Sequence, residues 1–234
     1  MERKEWRVGF RHGFPIAMGY FSISFGFGTM AAAKGMNTWI ATLMSVTNLT
    51  SAGQFAGLTQ ILSGAMLWEI ILTQLVINSR YALMSVALSQ RMGQKVGVIP
   101  RMCIAFFNTD EIFAMAMSRQ EPLTVPYMFG LGLLPIFGWI LGTLLGGLAG
   151  SILPASVRTA LGVVLYGMFV AILVPPAKKD RSIFMAILLA VVFSCLLTWV
   201  PLFRKVSGGV SILIVTVAVS AICALLFPEK EDGE

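Results

Sequence analysis

Apolar residues fill most of this chain in stretches of roughly 20 residues, the length that an α-helix needs to cross a bilayer. Short polar connections separate them, which predicts an all-α polytopic membrane protein. We expect one transmembrane domain at residues 13–228, flanked by a polar N-terminal segment at 1–12 and a polar tail at 229–234. The predicted segments are Gly13–Ala33, Trp39–Leu62, Ile70–Leu88, Met102–Met117, Val125–Ile152, Thr159–Val174, Ile183–Val200 and Val210–Phe227.

Two of these segments are poor membrane spans. A polar, glycine-containing run, Asn48–Gln54, interrupts the second, and the fourth carries Asp110 and Glu111 among apolar neighbours. A carboxylate at the bilayer centre costs roughly 2.5–3.5 kcal/mol, and a broken helix at membrane depth must be buried in protein or line a cavity. We therefore predict about six full transmembrane helices and two broken or re-entrant segments.

The distribution of basic residues supports re-entry. The N-terminus carries four Lys or Arg residues before residue 12 and is taken as cytoplasmic. If every segment crosses, basic residues divide almost evenly between the two sides. If the two poor segments dip in and return, Arg91, Lys95 and Arg101 move inside and a positive-inside bias appears. This arrangement places both termini in the cytoplasm.

Composition settles the class and excludes several functions. Hydrophobic residues make up 57% and charged residues 12% of the chain, and the mean hydropathy is +0.83. The net charge of +6 fits cationic loops at a membrane surface better than nucleic-acid binding. One histidine and three widely spaced cysteines predict no metal site, and no cofactor is expected. No HExxH, Gly-x-Ser-x-Gly or P-loop pattern is present, so we do not expect an enzyme.

The chain also contains an internal similarity. Pro15–Gly19, followed by Gly26 and Gly28, resembles Pro135–Gly138, followed by further glycines, at an offset of 120 residues. Transporters are often built from repeats, although Pro and Gly are common in membrane helices generally. Glycines recur every four residues from Gly138, a spacing that favours close helix packing and leaves open a smooth substrate path.

The first candidate site is the interruption of the second segment. Its polar side chains surround Gly53, where an unwound backbone would expose N–H and C=O groups to a zwitterion. The alternative is that the same side chains only form hydrogen bonds between helices. The candidate substrate-binding residues here are Asn48, Ser51, Gly53 and Gln54.

The third segment adds Asn78 and Arg80 as candidate substrate-binding residues. Arg80 lies too centrally to reach the membrane surface, so its guanidinium needs an acceptor within the protein. Asp110 or Glu111 could supply it, and so could a substrate carboxylate; a switch between the two would act as a gate. Glu69, near the start of the segment, is interpreted as a solvated interfacial charge.

The fourth segment supplies the candidate coupling and gating residues Asn108, Thr109, Asp110 and Glu111. Neighbouring helical residues point about 100° apart, so one carboxylate can face Arg80 and the other a cavity, where it could carry a proton. Asp110 is also interpreted as the N-cap of a helix that begins at Glu111. The two roles are compatible.

These motifs resemble the AzlC family, the large subunit of branched-chain amino acid exporters, over nearly the whole chain. Tyr81 replaces the family's usual histidine, and the late segment has Gly162-Val163-Val164 where an acidic residue is common. Roles for those two positions therefore do not carry over. The matching stretches are Gly13–Ala17 with Phe25-Gly26, Ser51–Ala56, Asn78–Tyr81, Thr109–Glu111 and Leu161–Pro175.

The resemblance implies an inner-membrane exporter of valine, leucine, isoleucine and similar neutral amino acids. It also implies a second, small membrane subunit of the AzlD type and coupling to the proton motive force. Two alternatives remain: a channel-like or regulatory membrane subunit, and a transporter of another small solute.

Overall fold

The computed structural model describes residues 2–93, 96–152, 177–200 and 208–227, together with 156, 170, 173–174 and 206. The regular elements within these ranges are all α-helices, which confirms the predicted all-α membrane fold. They are α1 (Glu2–Ala33), α2 (Thr38–Thr47), α3 (Ser51–Leu62), α4 (Leu67–Arg91), α5 (Val98–Phe106), α6 (Asp110–Ser118), α7 (Val125–Ile152), α8 (Arg181–Trp199) and α9 (Gly208–Leu226).

Both predicted interruptions are breaks between two helices. Residues 48–50 separate α2 from α3, and residues 107–109 separate α5 from α6. Most of the predicted sixth segment lies outside the described residues, so the count of six full spans stays a prediction. Among the described residues, the helices long and apolar enough to cross a membrane are Arg3–Ala33, Leu67–Arg91, Val125–Gly150 and Arg181–Trp199, with a shorter apolar helix at Val210–Leu226.

The chain divides into two compact units, Met1–Leu58 with Ile77–Val163 and Thr59–Val76 with Val164–Glu234. In the first unit, buried side chains including Phe107, Tyr127 and Trp139 form the core. In the second unit, α8 packs against α9. The prediction of a single domain at 13–228 stays a prediction.

Helices α1 and α7 pack closely in a parallel arrangement. Gly9 of α1 lies against Tyr127 of α7, and Gly28 lies against Gly147, so residue numbers rise together along the contact. Each contact joins a glycine on one helix to backbone atoms of the other, which only a residue without a Cβ permits. The predicted packing role of the glycine rows is confirmed, and the two similar stretches 120 residues apart lie side by side.

The α5–α6 segment re-enters. At its start, Arg101 donates hydrogen bonds to the backbone carbonyls of Ser89, in the last turn of α4, and Gly93, just beyond the end of that helix. At its end, the backbone carbonyl of Arg119 accepts a hydrogen bond from Arg91. Both ends of the segment therefore lie at the C-terminal end of α4, and α5 and α6 form a hairpin that returns to the end of the helix where it starts.

The tip of this hairpin reaches the middle of α1. Thr109, in the break, and Glu111, in the first turn of α6, both contact the hydroxyl of Tyr20. Asn108 contacts Ser85, in the second half of α4. Arg119, which bonds the last residue of α4, also pairs with Glu5 near the start of α1. The end of α4 therefore lies near the start of α1, and the two helices run antiparallel.

The α2–α3 segment approaches the same level from the other side. Thr38, at the start of α2, lies beside Gly147 near the C-terminal end of α7. Further along, Ser45 bonds Thr143 at 2.6 Å, and Gln54 bonds Trp139 at 3.0 Å. The two breaks thus lie at a similar height along α1 and α7, and the chain reaches them from opposite ends of these helices.

This topology makes a labelling prediction. With the native cysteines replaced by alanine, Gln90→Cys and Gln120→Cys should react with a membrane-impermeant thiol reagent from the same side, because both ends of the α5–α6 hairpin lie together. Lys34→Cys and Ser63→Cys should react from the opposite side. The measurement is labelling of intact cells against inverted vesicles, and opposite accessibility of positions 90 and 120 would exclude the re-entrant hairpin.

Candidate functional site

An ion pair joins α4 to the start of α6. Arg80 Nη2 lies 2.8 Å from Asp110 Oδ2, which confirms the predicted partner of this arginine. The arginine side chain is 49% exposed and the aspartate side chain 45%, so both charges remain accessible to a solute. Arg80 also lies over the ring of Tyr81 and donates a hydrogen bond to its hydroxyl at 3.2 Å.

The predicted cap of this helix is wrong by one residue. Asp110 is the first helical residue, and Thr109, with extended backbone angles (φ −86°, ψ 172°), is the N-cap. The Thr109 side chain makes no capping bond because its hydroxyl is engaged with Tyr20 instead. As a result, Asp110 and Glu111 both lie in the first turn, where the helix dipole stabilises negative charge.

Glu111 lies in a short hydrogen-bonded chain with α1. The Tyr20 hydroxyl is 2.5 Å from Glu111 Oε2 and 2.5 Å from Thr109 Oγ1. A phenol hydroxyl carries a single proton, so at any moment Tyr20 donates to either Glu111 or Thr109. The two adjacent carboxylates therefore have different partners: Arg80 holds Asp110, and Tyr20 holds Glu111.

Gln54 connects three helices. Its Oε1 accepts a hydrogen bond from Trp139 Nε1 at 3.0 Å, and its Nε2 donates to Ser45 Oγ at 2.5 Å. Ser45 in turn bonds Thr143, and the Gln54 side chain is completely buried. The structure contains the interhelical hydrogen bonding that was the alternative interpretation of this segment, and in this conformation the Gln54 amide faces protein on both sides; a substrate-binding role for Gln54 stays a prediction.

The unwound stretch lies earlier than predicted. It comprises residues 48–50, whereas Ser51 begins α3 and Gly53 lies within that helix. Asn48 Oδ1 accepts hydrogen bonds from the backbone N–H and the hydroxyl of Thr50, at 3.3 and 2.9 Å. This local ring of bonds favours a turn over a helix, so the break forms at the asparagine rather than at the glycine.

Asn108 occupies the second break. Its side chain is buried, and Nδ2 donates to Ser85 Oγ at 3.3 Å, while Oδ1 has no hydrogen-bond partner. The other predicted amide, Asn78, is half-buried on α4, two residues before Arg80. A buried acceptor without a donor costs about 1–3 kcal/mol, which makes Asn108 suited to receive an N–H group of a solute.

A cavity of about 360 Å³ lies between α4 and α5. Its wall is mainly aliphatic, with Leu88, Met92 and Ile104, and it extends from Arg101 to Ser85, the hydrogen-bond partner of Asn108. The cavity therefore connects the C-terminal end of α4 with the break of the re-entrant hairpin.

A second charged cluster lies near the C-terminal end of α4, in the first unit. Arg119 lies 2.9 Å from Glu5 and 3.0 Å from Glu121, and its guanidinium covers the ring of Tyr127. The hydrogen bond from Arg119 lowers the pKa of Glu121. Desolvation lowers the pKa of Arg119, but the hydrogen bonds and the charge attraction from Glu5 and Glu121 together outweigh it, so the pKa of Arg119 is raised. The cluster ties the start of α1 to the connection between α6 and α7.

The prediction for Glu69 is wrong. Its side chain is only 7% exposed, and Oε2 is buried without a hydrogen-bond partner. It is an interior carboxylate in the first turn of α4, not a solvated interfacial charge. Proximity to a segment end does not reveal which face of the helix a residue occupies.

Sequence comparisons agree with the helical membrane architecture. The family described as AzlC protein matches residues 15–153. An "Uncharacterized membrane protein" of Archaeoglobus fulgidus is 33% identical over 74% of this chain and 76% of its own length. "Inner membrane protein YgaZ" of Escherichia coli is 27% identical over 75% and 74%. A Helicobacter pylori "Uncharacterized membrane protein" is 28% identical over 63% and 65%. No solved structure matches. The chain belongs to the AzlC family of membrane proteins.

Proposed function

We propose that this protein is a secondary transporter subunit that exports branched-chain and similar neutral amino acids across the cell membrane. The observation that carries the proposal is the half-exposed Arg80–Asp110 ion pair at the tip of the re-entrant α5–α6 hairpin. A zwitterion carries the same two charges as the pair, so it can replace the internal bond with two external ones.

In the proposed complex, the planar guanidinium of Arg80 binds the substrate carboxylate, a geometry that favours two parallel hydrogen bonds. The ammonium group binds Asp110, which its position in the first turn of α6 orients. Asn108 Oδ1, a buried acceptor two residues before Asp110, supplies a further ligand for the ammonium. Opening and closing of the Arg80–Asp110 pair would then accompany each transport cycle.

The substrate would reach this site through the cavity between α4 and α5, whose wall would contact its aliphatic side chain. The volume of about 360 Å³ lies within the range of small-molecule pockets, roughly 300–1,000 Å³. Its aliphatic and methionine wall suits branched apolar groups of varied shape. With the N-terminus in the cytoplasm, the cavity would open on the cytoplasmic side, where an exporter collects its substrate.

Coupling to protons is assigned to Glu111 rather than Asp110. Glu111 is bonded to Tyr20, whose hydroxyl is bonded in turn to Thr109, and this chain can pass a proton without breaking the Arg80 pair. The proposal includes a small AzlD-type membrane subunit as the partner, since the family resemblance implies a two-subunit exporter.

A counterflow assay tests the proposed activity. Both subunits in liposomes loaded with unlabelled leucine should accumulate labelled leucine, valine and isoleucine in a saturable manner, and a charged amino acid such as lysine should compete poorly. A proton gradient should raise net efflux. Uptake that is absent with every labelled neutral amino acid would refute the substrate class, and unsaturable flux would indicate a channel instead.

A further inference from the structure

The start of α4 buries its polar side chains and exposes its apolar ones. Glu69 and Thr73 keep 7% and 0% of their surface exposed, whereas Leu72 and Leu75 are 42% and 63% exposed. Glu69 and Thr73 are four residues apart, so they share one helix face with roughly 5–6 Å between their Cβ atoms. In a bilayer the leucines face lipid, and the carboxylate faces protein.

Gln60, in the last turn of α3, completes this polar cluster. Its Nε2 donates a hydrogen bond to Thr73 Oγ1 at 2.8 Å, and its side chain is 3% exposed. That bond commits the amide nitrogen and leaves Oε1 as a free acceptor. Gln60 Oε1 and Glu69 Oε2 are both buried without a hydrogen-bond partner, and Glu69 takes part in none of the ion pairs among the described residues.

The unsatisfied groups all have the same chemical character. A carboxylate oxygen and an amide carbonyl oxygen accept hydrogen bonds or coordinate cations, and neither can donate. The C-terminal end of α3, at Leu62, adds partial negative charge from its last carbonyls. A cluster of acceptors with one formal negative charge matches a ligand with one positive charge.

We propose that Gln60, Glu69 and Thr73 form a receptor for a monovalent cation. The ligand is either an alkali ion such as Na⁺ or the primary ammonium group of an amino acid, because both present one positive charge to oxygen ligands. Glu69 neutralises the charge, and Gln60 Oε1 and Thr73 Oγ1 supply neutral oxygen ligands. The hydrogen bond from Gln60 to Thr73 fixes the direction of the amide oxygen.

The site is tested by thermal unfolding of the purified full-length protein at constant ionic strength. NaCl, methylammonium chloride and L-leucine are titrated against choline chloride, whose bulky cation does not fit a buried site. Na⁺ or methylammonium should raise Tm in a saturable way, and Glu69→Gln should raise the concentration for half-maximal effect at least tenfold. A response to Na⁺ alone identifies an ion site, and a response to methylammonium and leucine identifies a second ammonium site, separate from Asp110.

Two further variants separate binding from folding. Thr73→Val keeps the side-chain shape but removes an oxygen, so the half-maximal concentration should rise about threefold. Gln60→Glu adds a second negative charge, which should strengthen the cation response, whereas a purely structural role would only lower Tm. Glu121→Gln, which neutralises an exposed carboxylate, serves as the matched control and should keep the wild-type response.

The proposal is overturned if the wild-type protein responds to Na⁺, methylammonium and leucine no more than to choline. It is equally overturned if Glu69→Gln and Gln60→Glu both retain the wild-type titration. Because the measurement requires no transport, its result does not depend on the proposed export activity. Loss of counterflow with an intact cation response would refute that activity and leave this site standing.

Discussion

Asp110→Asn should abolish amino acid efflux while the protein still inserts into the membrane at the wild-type level. The substitution keeps the size and shape of the side chain but removes the charge that pairs with Arg80 at 2.8 Å and that would bind the substrate ammonium. A hydrogen bond to a charged group is worth about 1.5–3 kcal/mol, so the loss of this one bond should lower efflux by roughly 10- to 100-fold, close to the background of vesicles without the protein. The measurement is initial efflux from preloaded vesicles, normalised to the amount of inserted protein.

Asp180→Asn makes the same chemical change elsewhere. Asp180 caps α8 by accepting from the backbone N–H of Ser182 at 2.7 Å and takes part in none of the ion pairs found in the described ranges. Its variant should keep both its stability and its efflux, because asparagine is as good an N-cap as aspartate. Arg80→Lys should give an intermediate rate, since lysine keeps the charge but loses the planar fork. Wild-type efflux in a well-inserted Asp110→Asn protein would remove this carboxylate from the mechanism.

The broken helices could be predicted from sequence because each break is a local event. A cluster of amide and hydroxyl side chains around Asn48, and the acidic pair at Asp110, stand out from apolar surroundings. Pairing of Arg80 with Asp110 was predictable for a similar reason, since a central charge in a membrane segment needs an opposite charge. The position of the helix start was not, because Thr109 and Asp110 are both good N-caps and the sequence does not rank one above the other.

The hydrogen-bonded connections between helices could not be predicted. Tyr20 and Thr109 are 89 residues apart, and Gln54 and Trp139 are 85 apart. Each residue alone is ordinary in a membrane helix, and only the packing of the helices brings the two members of each pair together. The glycine spacing predicted a close helix contact, but nothing in one sequence identifies the partner helix. The buried face of α4 was missed for the same reason, and Glu69 was therefore misplaced.

The α1–α7 contact provides the second large expected effect. Gly146→Ala should destabilise the protein because the new Cβ would collide with the backbone carbonyl group and Cα of Phe25. Backbone atoms cannot rotate away as a side chain can, so the two helices must move apart along their length. Overpacking typically costs about 1–3 kcal/mol, and at about 2–4 °C per kcal/mol for a chain of this size, Tm should fall by roughly 2–12 °C. The measurement is thermal unfolding of purified protein in detergent.

Gly19→Ala is the matched control, because Gly19 also lies within α1 but a Cβ there would meet no atom within 4 Å. Alanine favours a helix over glycine by roughly 0.5–1 kcal/mol, so this variant should be as stable as the wild type or slightly more stable. The two substitutions add the same methyl group to a helical glycine, and only the neighbouring backbone distinguishes them. Equal Tm values would show that α1 and α7 do not pack through their glycines. Because Tyr20 and Trp139 lie on these two helices with their rings 5.5 Å apart, separation of α1 from α7 should also weaken the site, and Gly146→Ala should lower efflux along with Tm.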